Sequence, residues 1–242
     1  MLLAEEIAER LVGAAELTKS DTVLEIGTGT GKITNPLAKS AGQVTTWEVD
    51  PVFFQLATQT LQKFKNVRML CGDAFSKENT ATFDVCVTSL PYSESLRFTK
   101  WLSTRTNHFK RCVAIVQSEF VQKLVSTVGS GSYRAVSVIA QNSFIIERLF
   151  TIPSHFFDPP PKVLSEAVKL TPRQDIAQSY FNSRRIHILN QLFSYRGRLL
   201  SSAAKKIGFK EALPEYLLKT RVEDLTPKDF ADIIPKLEVH FQ

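Results

Sequence analysis

Two hydrophobic rhythms alternate along the first half of the chain. Thr22–Ile26 (TVLEI), Val44–Val49 (VTTWEV), Val67–Cys71 (VRMLC) and Phe83–Thr88 (FDVCVT) are short runs rich in β-branched and aromatic residues. Each is bounded by turn formers, and each predicts a strand. Cys112–Gln117 (CVAIVQ) predicts a fifth. Between the strands, apolar positions recur at helical spacing in Ile33–Lys39 and in Val52–Phe64, the latter at 53, 56, 57, 61 and 64. Ahead of the first strand, Ile7, Leu11, Val12 and Ala15 share one helical face. Strands alternating with helices predict right-handed βαβ units and a parallel sheet covered on both faces, an α/β fold of three layers.

Ser143–Phe150 and Leu164–Leu170 predict two more strands, joined by the Pro-rich turn Asp158-Pro159-Pro160-Pro161. From about Arg173 the strand signals stop. Ile186, Leu189, Leu192 and Phe193, then Leu199, Leu200, Ala203 and Ala204, repeat at helical spacing. Gly208 reads as a helix terminator, and Thr226-Pro227 as a cap with proline at the first helical position. The expected organisation is an α/β domain over residues 1–172 followed by a small all-helical domain over residues 173–242. The last six residues, LEVHFQ, are close to a protease-tag sequence and are left out of the fold reasoning.

Composition excludes several classes. With 43% hydrophobic and 22% charged residues in 242, the chain is neither disordered nor low in complexity. No apolar run approaches the ~20 residues of a membrane-spanning helix. The opening MLLAEEIAERLV carries acidic residues where a signal or transit peptide would be basic. Cys71, Cys86 and Cys112 sit in apolar stretches, which predicts buried thiols in a reducing, cytoplasmic setting rather than disulfides or a metal site. Nothing calls for an obligate dimer, so a monomer is expected. The net charge is +6, and its placement matters more than its size. Residues 173–210 hold eight basic residues (Arg173, Arg184, Arg185, Arg196, Arg198, Lys205, Lys206, Lys210) against the single acid Asp175. Such a segment is either a polyanion-binding surface or a solvated helical face.

The candidate chemistry lies at the ends of the predicted strands. After the first comes Glu25-Ile26-Gly27-Thr28-Gly29-Thr30-Gly31. Glycines at a strand-to-helix turn let the backbone approach a ligand and aim N–H groups at it. A dinucleotide fingerprint would need glycine at position 32, which is Lys32; the G-x-G-x-G spacing is instead the form found in S-adenosylmethionine (SAM) methyltransferases. Glu48, ending the second strand, could accept both ribose hydroxyls of a nucleoside. Asp73, in Gly72-Asp73-Ala74, could accept from an adenine amino group. Each alone could be a solvated loop carboxylate, but all three features fall at carboxyl ends of successive strands, where open α/β sheets bind ligands. The fourth strand ends in Ser89-Leu90-Pro91-Tyr92, the (Asp/Asn/Ser)-x-Pro-aromatic form of enzymes that methylate exocyclic amines of bases. An adenine N6 lone pair is delocalised into its ring. Two acceptors, the Ser89 side chain and the Leu90 carbonyl, could hold its N–H groups and localise that lone pair. Pro91 would fix the backbone, and Tyr92 would offer a ring to an extruded base.

These motifs together resemble the ribosomal-RNA adenine dimethyltransferases (KsgA type), relatives of the erythromycin-resistance methylases. LEIGTGTGKITNPLA resembles their first motif, TWEVDP the second, CGDAF the third and SLPYSES the fourth. QSEFVQKLV, GSYRAVSVIAQ and FFDPPPKVLSEAVKL resemble the later motifs, and FNSRRIHILNQLF with LLKTRVEDLTPKDF the C-terminal helical domain. The resemblance implies a Rossmann-like SAM-dependent sheet and SAM held by Leu2, Gly27, Gly29, Glu48, Asp73, Ala74 and Ser89. It implies a catalytic set of Ser89, Leu90, Pro91, Tyr92 and Phe157, in which Phe157 stacks on the target adenine opposite Tyr92. Bottom-up, Phe157 could equally be a core aromatic and Lys162 a solvated charge. The implied partner is small-subunit ribosomal RNA in an immature subunit, contacted through Arg134, Lys162, Arg184, Arg185, Arg196 and Arg198.

Two departures stand out. The family's fourth motif usually begins with Asn, and here it is Ser89, shorter and a donor as well as an acceptor. This bears on rate and on whether one or two methyl groups are added. The family's basic N-terminal stretch usually ends in Gln-(His/Asn)-Phe-Leu and closes over SAM; this chain starts at about the last residue of that motif, with Leu2 in the matching position. Weaker SAM binding would follow. The alternative function is a catalytically weak ribosome-assembly or transcription factor that keeps the fold and the RNA surface.

Overall fold

The computed structural model describes residues 2, 4–76, 82–175, 180–209 and 213–240. Lys210 and the last two residues of LEVHFQ therefore lie outside the described residues. The chain forms two compact units.

The first unit comprises Met1–Phe98, Asn107–Val121 and Ile145–Pro172. Its sheet is built from β1 (Thr22–Ile26), β2 (Gln43–Glu48), β3 (Val67–Cys71), β4 (Val85–Ser89), β5 (Arg111–Gln117), β6 (Phe144–Ile152) and β7 (Ser165–Pro172). The spatial order is β3-β2-β1-β4-β5-β7-β6. β1 pairs in parallel with β2 on one side and β4 on the other, Ile26 standing opposite both Trp47 and Thr88. The chain thus winds outward from β1 through β2 to β3 and returns to β1's other flank. This reversal opens a crevice at the strands' carboxyl ends. β1 and β4 are buried almost end to end, which is why they read as continuous apolar runs rather than alternating ones.

The five strands of the first half pair in parallel as expected, and the two later strands make the sheet mixed. β7 runs antiparallel to β5, with Ser165 opposite Gln117. Residues 153–164, which carry the Pro-rich turn, lead into β7 with one 3-10 turn (Ser154–Phe156) and no crossover helix, the element a parallel return requires. The thiols also divide. Cys86 and Cys112 are buried side by side on β4 and β5, but Cys71 is exposed, because it ends the edge strand β3.

Three helices flank these strands. α1 (Glu5–Ala14) buries Ile7, Ala8, Leu11 and Val12, three of them from the predicted face. α2 (Thr34–Ser40) follows the glycine turn. α3 (Pro51–Leu61) starts at Pro51 behind an Asp50 cap, whose carboxylate accepts from the Val52 and Phe53 N–H groups at 2.8 and 3.4 Å. The core of this unit gathers Val23, Val44, Val85, Val113 and Ile115 from one face of the sheet with Leu11 of α1 and Leu37 of α2.

The second unit takes in Thr99–Thr106 and Gln122–Phe144 as well as Arg173–Gln242. Two helices, α4 (Ser95–Ser103) and α5 (Ser118–Val125), carry the chain across its boundaries. Beyond them lie α6 (Ala135–Ser143), α7 (Ser183–Phe193), α8 (Leu200–Lys206), α9 (Glu215–Leu218) and α10 (Pro227–His240). The unit is helical and takes in segments on both sides of β5. Val138 and Ile139 of α6 join Leu189, Leu192, Phe230 and Ile233 in one core, so α6 belongs with α7 and α10. Gly208 takes φ +87° just beyond α8, a conformation that ends a helix cheaply only in glycine. Thr226 caps α10 in a reciprocal bond, Asp229 Oδ2 accepting the Thr226 N–H at 2.8 Å while Thr226 Oγ1 accepts the Asp229 N–H at 3.1 Å.

Candidate active site

The ends of β1, β2, β3 and β4 open onto one cleft of about 680 Å³. Its lining includes Leu2, Gly27, Gly29, Glu48, Asp73 and Ala74, the residues expected around a cofactor. It also includes Ser89, Leu90, Pro91, Tyr92 and Phe157, those expected around the acceptor.

The glycine turn sets the floor. Gly27 takes φ +85° and its N–H donates to the Trp47 carbonyl at 2.8 Å, tying the turn to β2. A Cβ built on Gly27 would stand 3.9 Å from the Ser89 carbonyl oxygen, so the turn after β1 lies against the end of β4. The Gly29 N–H donates to Glu48 Oε2 at 2.8 Å and the Asp50 N–H to Glu48 Oε1 at 2.9 Å. Each Glu48 oxygen keeps a lone pair for a hydroxyl donor.

Asp73 is engaged more fully than expected. Its Oδ1 accepts the Phe75 N–H at 2.9 Å, and its Oδ2 accepts from Arg97 at 2.5 Å. Burial pushes this carboxyl up, but the Phe75 N–H and the Arg97 guanidinium outweigh it and hold it below the usual aspartate range. Arg97 lines the same cleft and was not legible as a site residue, since it arrives on α4 from 24 positions away.

On the acceptor side, Pro91 leads into a 3-10 turn, Tyr92–Glu94. The Tyr92 hydroxyl makes a short hydrogen bond with the hydroxyl of Ser165, a fully buried side chain at the start of β7. The Ser89 hydroxyl has no hydrogen-bond partner among the described residues and is free to meet a ligand. Leu2 and Phe157 form an isolated antiparallel bridge, and both are largely buried. Phe157 is thus a core aromatic and a cleft-lining one at once.

One buried acid escaped notice. Glu25 is fully enclosed on β1, where the Thr34 hydroxyl donates to it at 2.6 Å. Burial, with the nearby Glu48 charge adding, pushes its carboxyl up to about 8. The signal was an acid in an otherwise apolar strand, TVLEI.

The six basic residues expected on RNA do not behave alike. Lys162 is exposed and belongs to the first unit, next to the cleft-lining Pro161. The other five belong to the second unit. There the Arg134 guanidinium donates to the Gly131 and Tyr133 carbonyls at 2.7 and 2.8 Å. Arg185 pairs with Glu238 at 2.6 Å and lies 4.8 Å over the Tyr180 ring. Arg196 pairs with Glu223 at 2.8 Å. Arg184 and Arg198 are exposed, and their side chains make no hydrogen bond or ion pair among the described residues.

Residues 2–238 match the ribosomal RNA adenine dimethylase family. The chain belongs to that family. A relative from Methanosarcina acetivorans, bearing the name "Probable ribosomal RNA small subunit methyltransferase A", is 32% identical over 238 residues, spanning 93% of this chain and 86% of its own. Ribosomal RNA small subunit methyltransferase A of Thermotoga maritima is 27% identical over 236 residues, spanning 96% and 81%. Among solved structures, a dimethyladenosine transferase from Plasmodium falciparum aligns with a TM-score of 0.78 at 25% identity, covering 100% of this chain and 97% of that one. The 23S rRNA methyltransferase ErmE aligns at 0.67 and 20% identity, covering 98% and 99%, and shares the fold. As a member of the adenine dimethylase family, the chain carries its Rossmann-like methyltransferase sheet together with a helical C-terminal region.

Proposed function

We propose that the protein dimethylates N6 of adenines in small-subunit ribosomal RNA, with S-adenosylmethionine as methyl donor. The observation that carries this reading is the single cleft in which the Gly27–Gly29 turn, Glu48 and Asp73 face the Ser89–Tyr92 turn. The residues present fit the cofactor. Gly27, at φ +85°, lines the cleft with bare backbone, Glu48 offers acceptors to ribose hydroxyls, and Asp73 offers one to an adenine amino group. Bound there, SAM supplies an electrophilic methyl group on a cationic sulfur.

The chain's own residues do the positioning. The Leu90 carbonyl and the Ser89 hydroxyl hold the target amine, restraining its N–H groups so that the lone pair is withdrawn from conjugation with the ring and localised on nitrogen. Tyr92 and Phe157 flank the extruded base. Leu2, bridged to Phe157, closes one edge of the cleft to water. No buried acid–base pair is needed, because the proton is lost from a cationic amine, and geometry carries most of the rate. Arg184, Arg198 and Lys162 meet the RNA backbone. We place the protein in the cytoplasm, acting as a monomer on immature small subunits.

The test is incubation with methyl-labelled SAM and immature small subunits, followed by mapping of the modified nucleotides. Dimethylated adenine in the small-subunit RNA is expected. SAM binding with no incorporation would leave the second reading, an RNA-binding assembly factor, which Ser89 in place of the usual Asn favours.

A further inference from the structure

Arg97 stands where the two halves of the cleft meet. It rises from α4, three residues beyond the Tyr92–Glu94 turn, and its Nη2 donates to Asp73 Oδ2 at 2.5 Å. Its Nη1 reaches Glu94 Oε2 at 3.4 Å, and its Cζ lies 4.8 Å over the ring of Phe75. Asp73, Phe75, Glu94 and Arg97 all line the cleft. An isolated ion pair between half-exposed partners contributes little. This guanidinium is held on three sides, by a carboxylate, a ring face and a second carboxylate, so its plane and its fork are set before any ligand arrives.

We propose that Arg97 is a positioning residue for the cofactor, holding the Asp73 carboxylate ionised and turned so that its remaining lone pairs face an adenine amino group in the cleft. This rests on the reading of the cleft as a SAM site. With Oδ1 on the Phe75 N–H and Oδ2 on Arg97, the carboxylate cannot rotate about its Cβ–Cγ bond without losing a partner at each end. An aspartate that took up a proton would present an O–H to the amino group, donor against donor. Burial favours that proton; the Phe75 N–H and Arg97 oppose it, and only Arg97 brings a charge. Lys32, Glu48, Asp50, Tyr92 and Glu94 are the other titratable groups of the cleft. Glu48 is turned onto the Gly29 and Asp50 N–H groups and Glu94 onto Arg97, which leaves Arg97 as the charged side chain bonded to Asp73 among the described residues.

The experiment is calorimetric titration of S-adenosylhomocysteine into wild-type protein, Arg97→Ala, Arg97→Lys, Asp73→Asn and the Arg97→Ala, Asp73→Asn double variant. Each is taken from neutral pH down to about pH 3, through the ordinary aspartate range, with folding checked by circular dichroism at every pH. Binding that needs the carboxylate is present above its pKa and is lost as pH falls through it. Removing Arg97 raises that pKa, so binding by Arg97→Ala should fail at a higher pH than in wild type. At neutral pH it should be weaker by about three- to tenfold. Arg97→Lys should restore the wild-type pH profile with incomplete affinity, lacking the fork. In the Asp73→Asn background, Arg97→Ala should add little further loss. Wild-type affinity and pH profile in Arg97→Ala would overturn the inference, as would a uniform weakening without a pH shift or fully additive losses. A wild-type protein that bound no S-adenosylhomocysteine would instead sink the cofactor reading, and this inference with it.

Discussion

The Tyr92 hydroxyl is hydrogen-bonded to the hydroxyl of Ser165, 73 positions away and completely buried. The bond joins the turn after β4 to the first residue of β7, and it sets the plane of a ring that lines the cleft. Ser165 is also the final serine of FFDPPPKVLS, which gives that stretch a physical task beside the cleft. Ser165→Ala is expected to lower turnover about fivefold, the worth of one hydrogen bond, with SAM affinity unchanged. Tyr92→Phe should cost about the same, and the double variant little more than either alone. Steady-state kinetics on small-subunit RNA beside SAM titration checks this; additive losses would mean that the two hydroxyls act separately.

Ser89 should divide chemistry from cofactor binding. Its hydroxyl is unpartnered among the described residues, and its carbonyl abuts the Gly27 turn. Ser89→Ala is expected to reduce turnover about tenfold or more while SAM affinity changes little. Ser89→Asn, which restores the residue usual in the family, should raise turnover and the share of doubly methylated product. Mass spectrometry of digested RNA reads both. A Ser89→Ala protein with wild-type turnover would remove the residue from the acceptor role.

Glu25 makes stability depend on pH. Its carboxyl is pushed up from 4.5 to about 8, chiefly by burial. A carboxyl whose folded pKa exceeds its unfolded value binds more protons when folded, so its contribution is complete below the unfolded value and is lost as pH rises through the folded one. Wild-type stability should therefore fall between about pH 5 and pH 8, and Glu25→Gln should flatten that fall by roughly 2 to 4 kcal/mol. Urea unfolding at a series of pH values measures it. Parallel curves for the two proteins would show that Glu25 is ionised in the fold.

Neighbouring arginines on α7 should separate by task. Arg184 is exposed and its side chain makes no hydrogen bond or ion pair among the described residues, whereas Arg185 is tied to Glu238, to the Tyr180 carbonyl at 2.7 Å and to the Tyr180 ring. Arg184→Ala is expected to weaken RNA binding and lower the salt slope by about one, with the melting temperature unchanged. Arg185→Ala should instead destabilise the helical unit by about 1 kcal/mol. Filter binding across salt concentrations and thermal unfolding distinguish them. An unchanged salt slope for Arg184→Ala would make it a solvated charge.

The strands and most of the cleft were legible because their signals are local. A run such as TVLEI or CVAIVQ is apolar and β-branched because the strand is buried where it stands, and G-x-G-x-G marks a turn whose φ values only glycine adopts freely. The cleft-lining residues also follow strand ends in chain order, so finding each strand nearly located the residue it brings to the cleft. The helical unit was legible in its C-terminal part for the same reason, through the period of Ile186, Leu189, Leu192 and Phe193. α6 escaped because its apolar face has no break in rhythm to show which core it joins.

Other features depend on contacts between residues far apart in the chain, and these the tertiary structure alone decided. Arg97 reaches Asp73, Ser165 reaches Tyr92, and Leu2 bridges Phe157. Arg185 and Arg196 sit in a basic run that looks free in sequence, yet their partners Glu238 and Glu223 come from later helices. Cys71 reads as buried until β3 is seen to be an edge, and the place of β7 beside β5, antiparallel to it, is visible only in the assembled sheet. Backbone preference and hydrophobic period act over a few residues and are written in each segment. Ion pairs, edges and pinned hydroxyls exist only once chain closure has brought distant side chains within hydrogen-bonding reach.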